Sequence, residues 1–218
     1  MRIPQDMAIG SIHKSNSGVS FKVTSYRGCN DVSIKFLDTG FVTTATTGRI
    51  RSGAVKDMLS PLVCGVGFVG VGDFKATEGG KITLEYRAWS GMIKRCYGKE
   101  KRKEYANCIV CDEWHNFQEF AKWYVSQKEY GLGYELDKDK RGDGIRKIYS
   151  PDTCCLISAK ENTQIARQRK CDLVSPAGEI VHVINLSKFC RDNNLCQPHM
   201  SNVVNGSLGQ HKGWKKAE

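Results

Sequence analysis

The sequence predicts an α+β protein, with small antiparallel sheets toward both ends and helices between them. Three observations carry that expectation. Residues Phe21 to Phe36 alternate apolar and polar side chains around a polar turn, the period of half-buried strands. From Glu85 onward, apolar residues recur at spacings of three and four, the period of an amphipathic helix. After Cys171 the alternation returns and then yields to two short helical stretches.

At 218 residues with 40% apolar side chains, the chain can bury a core without covalent staples. Its formal charge of +10 makes a polyanion the first partner to consider, and nucleic acid the first polyanion. Ten cysteines would suit a secreted disulfide scaffold, but the N-terminal residues MRIPQDMAIG lack the charged start and apolar run of a signal peptide. The thiols are therefore expected to be reduced and the protein cytoplasmic. Even Leu62 to Val71 falls short of the roughly 18 to 20 apolar residues of a membrane span, so no membrane partner is expected.

The first module, residues 1–80, is expected to be β-rich and a DNA contact. Phe21 to Tyr26 and Val32 to Phe36 form a hairpin across Arg27-Gly28-Cys29-Asn30-Asp31, and Phe41 to Thr46 adds a third strand. Lys22, Arg27 and Lys35 then fall on the open face. With these residues the sheet is weakly similar to the three-stranded Apetala-type DNA-reading sheets. Gly65 to Gly70 matches GxGxxG, but a turn-rich stretch follows instead of the helix that a dinucleotide site needs. It is read as a glycine-rich connection.

The second module, residues 81–170, opens with a helix carrying Tyr86, Trp89, Met92, Ile93, Cys96 and Tyr97 on one stripe. The helix runs into Lys94, Arg95, Lys99, Lys101, Arg102 and Lys103, enough positive charge to engage phosphates. After a short strand at Ile109 to Cys111, Asp112 is expected to cap a second helix with Trp114, Phe117, Phe120, Ala121 and Tyr124 facing the core. The stretch Glu135 to Asp139, the basic loop through Lys140, Arg141, Arg146 and Lys147, the stretch Tyr149 to Ile157, and Glu161-Asn162 then imply strand, loop, strand, helix. Cys108 and Cys111 with Cys154 and Cys155 raise the question of zinc, but the second pair is adjacent, not spaced by two, so buried thiols are the expectation.

The third module, residues 171–218, begins with a hairpin from Asp172 to Val183 around Pro176-Ala177-Gly178. A helix from Leu186 or Ser187 ends at Asn193-Asn194, and another from Gln197 or Pro198 closes at Asn205-Gly206. Such a pair suits helix-turn-helix geometry. On the second helix Gln197, His199, Ser201 and Asn202 are short polar groups able to read base edges, while Lys188, Arg191 and Lys212 suit phosphates.

From Tyr86 to Asn162 the chain resembles the HNH nuclease of phage- and intron-encoded homing endonucleases. Trp89, Met92 and Arg95-Cys96-Tyr97 match their leading helix; Trp114, Phe117 and Phe120 match the second. Leu136-Asp137-Lys138-Asp139 and Tyr149-Ser150-Pro151 match their ββα finger. The last module is similar to the nuclease-associated modular domain, through Ser175-Pro176, Gly178-Glu179, Leu186-Ser187, Val203 to Gly206 and His211 to Trp214. The resemblance implies a metal-dependent, sequence-directed endonuclease on double-stranded DNA in a phage-infected host. Asp137 and Asn162 would hold Mg²⁺ or Mn²⁺, with Lys138 and Asp139 as further catalytic positions. A hard cation takes oxygen ligands, which fits those two. Lys94, Arg95, Lys101, Arg102, Lys103, Lys140 and Arg141 would bind DNA.

The departures from the family are specific. Lys138 stands at the position of the general-base histidine, and Thr153 at the middle asparagine. An amine of ordinary pKa, about 10.4, does not accept a proton at neutral pH. Asp139 or His115 supplies the base, metal hydroxide forms without one, or the centre is inactive and Lys138 grips phosphate. The alternative to an enzyme is a DNA-binding protein, a repressor or interference factor, on an inactivated nuclease scaffold. RNA binding is less favoured, because the usual RNA-reader signatures are lacking.

Overall fold

The computed structural model describes residues 2–100, 102–138, 147–166 and 171–217. It is α+β, with several small sheets and six α-helices among the described residues. None of those helices is long and apolar enough to cross a membrane. The chain divides into two compact units, Met1–Leu156 and Ile157–Glu218.

The first unit opens on a four-stranded sheet in the order β1 (Ile12–Lys14), β2 (Ser20–Gly28), β3 (Asp31–Phe36), β4 (Val42–Ala45), each pair antiparallel. The expected three strands are therefore four. The extra strand is only three residues long, too short to show a period. Phe21, Val23, Val32, Ile34, Phe36 and Ala45 fill one face and pack with Met7, Ile50 and Val55. Ile50 lies on α1 (Thr47–Arg51), whose cap Thr46 accepts from Arg49 N; this helix was not anticipated. On the other face Lys22 stands directly opposite Lys35 and both are exposed, while Arg27 is bound through two nitrogens to Asp31.

A glycine-rich stretch follows, as expected, without a helix behind Gly70. Gly70 has φ +74°, and a Cβ there would run into the Asn116 side chain. The loop beyond it is secured by one amide: Gln118 accepts from Phe74 N and donates to the carbonyls of Val69 and Phe74. The small hairpin β5 (Thr77–Glu78) and β6 (Lys81–Ile82) leads to α2 (Leu84–Tyr97), capped by Thr83. Trp89, Met92, Ile93 and Cys96 line its buried face at the predicted spacing.

The second helix differs from its expectation. After β7 (Ile109–Val110), residues Asp112–His115 form a 3-10 turn, and α3 (Phe117–Ser126) begins only after Asn116. The physical reason is the cap: Asn116 Oδ1 accepts from Gln118 N, and Asn116 N donates back to Glu113. Trp114 therefore reaches the core from the turn, and Trp89 Nε1 donates to its carbonyl at 2.8 Å. The two tryptophans pack with Phe117, Phe120, Tyr124 and Tyr149.

The predicted second strand of the finger is also divided. β8 (Glu135–Asp137) pairs with β10 (Cys155–Ile157), whereas β9 (Ile148–Tyr149) lies parallel to β7. Thr153 makes the break. Its hydroxyl donates to Ile148 O at 2.6 Å and accepts from Ser150 N at 3.1 Å, which closes a turn where the strand would have continued.

The second unit contains α4 (Ala159–Ala166), then β11 (Cys171–Val174), β12 (Ile180–Val183), α5 (Leu186–Asp192), α6 (Gln197–Asn205) and β13 (Lys215–Lys216), with the sheet ordered β12-β11-β13. Leu173, Val183, Leu186, Cys190 and Met200 form its small core. Asn185 caps α5, and Gly206, at φ +79°, ends α6 in the left-handed conformation that glycine adopts without strain. The hairpin and both helices occupy the predicted stretches.

Candidate nucleic-acid interface

The most concentrated chemistry in the first unit surrounds the end of β8. Asp137 and the following Lys138 are 7% and 8% exposed. Lys138 Nζ stands 5.9 Å from the Tyr149 ring centroid and 6.0 Å from that of Tyr105. The guanidinium of Arg95, from the last turn of α2, stands 5.6 Å and 6.0 Å from the same two rings, and its Nε donates to Tyr149 Oη at 3.2 Å. Two cations thus share two aromatic faces, whose negative quadrupoles attract both. Burial pushes the Tyr149 hydroxyl well above its ordinary range, against the opposing pull of Arg95. It remains a neutral phenol.

Asp137 also lies close enough to Cys154 for its charge to oppose thiolate formation there. Burial is the larger cause and pushes the Cys154 thiol up to about 12. Cys111 is raised as well, chiefly by burial. Among the described residues no group of three or more His, Cys, Asp or Glu is placed to hold a metal ion. His115 is engaged elsewhere: its Nε2 is 3.3 Å from Tyr97 Oη and its Nδ1 is 4.0 Å from Asp112.

Asn162 falls on α4 in the second unit, where its backbone N donates to Ser158 O and the Ser158 hydroxyl accepts from Glu161 N. Of the basic positions, Lys94, Arg102 and Lys103 are exposed around the end of α2 and the turn after it. Arg95, expected among the phosphate contacts, is half-buried and turns inward onto the tyrosines, whose faces and the Tyr149 hydroxyl offer it partners. Lys101, Asp139, Lys140 and Arg141 lie outside the described residues.

In the second unit, α6 buries Met200 and Val203 and exposes Gln197, His199 and Asn202, with Ser201 half-buried. Gln197 Nε2 donates to Ser201 Oγ at 3.0 Å. The two flanking lysines have local partners: Lys188 Nζ meets Asp192 at 2.8 Å, and Lys212 Nζ donates to Asn194 O at 2.8 Å. Exposed pairs of this kind are weak and yield readily to a phosphate. Sequence reasoning missed Tyr105 and Tyr149 as partners of the cations. The two are far apart in the chain, and neither sits in a pattern that pairs it with the other.

No protein-family model matches the chain, and no curated protein matches it. One solved structure is similar in part, "DNA binding and cleavage by the HNH homing endonuclease I-HmuI", at 15% identity and a TM-score of 0.23. The match covers 45% of this chain and 65% of that one. The chain thus spans less than two thirds of that protein, and an overlap of this quality does not establish a shared fold.

Proposed function

We propose that this chain is a metal-dependent DNA endonuclease of the homing or nicking kind, directed to its target by its C-terminal module. The observation that carries the reading is a buried carboxylate, Asp137, followed by a lysine that shares two tyrosine faces with Arg95. A carboxylate suits a hard divalent cation, and paired cations suit a phosphodiester. The chain's net charge of +10 agrees with a polyanionic partner.

The donor chemistry fits Mg²⁺ or Mn²⁺, since such ions keep several waters and need only one or two carboxylates beside the substrate's phosphate. Asp137 would supply the carboxylate; Asn162 is a proposed ligand position that rests on the sequence resemblance alone. When bound, the ion would neutralise charge developing on the phosphate. Asp139 remains a proposed catalytic position. The exposed polar row of α6 is the proposed base reader, and the open face of the N-terminal sheet is a proposed further DNA contact.

A second reading follows from the placement of Lys138. Its ammonium rests on ring faces that attract a cation, which suits a phosphate grip better than proton abstraction. A protein that occupies DNA without cutting it accounts for that. One experiment separates the two: purified protein with supercoiled plasmid, in Mg²⁺ or Mn²⁺ against EDTA, beside Asp137→Ala. Metal-dependent nicking that disappears in the variant supports the nuclease. Intact plasmid that is nevertheless retarded on a gel supports the binding protein, and plasmid neither cut nor retarded rejects both.

A further inference from the structure

The imidazole of His211 sits against the first turn of α6. Its Nε2 accepts the backbone N–H of Cys196, the capping residue of that helix, at 3.2 Å. The Cys196 side chain makes no capping bond of its own. The ring also meets His199 edge-on, with centroids 5.0 Å apart and planes at 65°. Backbone bonds in both directions between His211 and Trp214 hold the segment that presents it.

Accepting a hydrogen bond at Nε2 requires that nitrogen to be bare, so the proton of the neutral ring is on Nδ1. A second proton removes the acceptor. It also places a cation at the positive end of the helix dipole, beside His199 and Lys212. Among the described residues the groups that act on the His211 charge are His199 on α6 and Lys212 beside it, and neither is an acid. Desolvation is the larger influence, and all three hold the ring below the usual imidazole value near 6.5.

We propose that His211 is the positioning residue of α6, and that only its neutral form holds the start of that helix in the arrangement that reads DNA. The inference rests on the reading of α6 as the base reader. Its sign is distinctive. A cationic protein on DNA ordinarily binds more tightly as its histidines take up protons, whereas this device loosens the reader on acidification. With a folded pKa below 6.5, its contribution is complete above that value and is lost as pH falls through the window beneath it.

The test uses the full chain in EDTA and the duplex that the chain itself enriches from a random-sequence pool. In the native chain, affinity is expected to fall roughly tenfold between about pH 7.5 and about pH 5.5. His211→Gln offers an amide oxygen to Cys196 N. It should match its parent at the upper pH and lose most of the fall. Affinity that rises on acidification, or an equally pH-sensitive His211→Gln, overturns the proposal. The Cys196 amide resonance of the free chain supplies an arm independent of DNA. It should shift with a midpoint below 6.5, and a flat trace overturns the proposal even where the variant fails to fold. Failure of the pool to enrich any duplex rejects the DNA-reader reading instead, and leaves the Cys196 titration to judge the device.

Discussion

Two of the three hydrophobic cores among the described residues treat their cations differently. The central cluster is aromatic: Trp89, Trp114, Phe117 and Phe120 are fully buried, and Tyr105 and Tyr149 turn ring faces to Arg95 and Lys138. The C-terminal cluster is small and built on Leu173, Val183, Leu186, Cys190 and Met200, and its flanking lysines rest on an exposed carboxylate and a backbone carbonyl. A large aromatic core can hold charge in a fixed place, because a ring face cannot be displaced by water as a surface partner can. A small aliphatic core leaves its charges at the surface, where salt and ligands compete for them. Under the proposed nuclease reading, the first arrangement would serve chemistry at one phosphate. Under the same reading, the second would serve adjustable contact with many.

The heaviest blow to this contrast falls on an indole. Trp89→Ala removes a side chain that is fully buried and donates to Trp114 O, and is expected to cost about 3 to 5 kcal/mol in chemical denaturation. A cost under about 1 kcal/mol would mean that the aromatic core does not organise this region. Thr153→Val keeps the shape and deletes a hydroxyl that closes the turn between β9 and β10. A loss of about 1 to 2 kcal/mol is expected by the same assay, and no loss would remove Thr153 as the cause of the broken strand. Lys188→Ala touches only an exposed i,i+4 pair and should change stability by about 0.5 kcal/mol or less. A cost comparable to that of Thr153→Val would show that this exposed ion pair stabilises the C-terminal unit, against the contrast between the two clusters.

Much of the fold was legible because it is written in periods. The hairpin of β2 and β3, the buried stripe of α2 and the paired helices α5 and α6 each follow a repeat that burial imposes. What escaped was set by single side chains acting locally. Asn116 moved the start of α3 beyond the Asp112 cap that the pattern suggested, by capping it later, and Thr153 divided a strand that the apolar pattern had drawn as continuous. The short β1 and α1 carry too few residues for any period. At the candidate site, Asp137 and Lys138 were named from a motif, but the partnership of Arg95 with Tyr149 depends on two elements meeting in space. A basic residue in a basic run carries no sign that it turns inward.

The amide of Gln118 has a consequence in the order of events during synthesis. The sheet from β1 to β4 and the helix α1 draw their contacts from one stretch near the start of the chain, so their partners emerge together. The loop after Gly70 is different, since the side chain that satisfies Val69 and Phe74 lies 49 and 44 residues later. Two of its carbonyls and one of its amide N–H groups therefore take their partner from α3. The connection between the N-terminal sheet and the aromatic core is thus completed from behind, by a residue translated after both ends of the loop are already out.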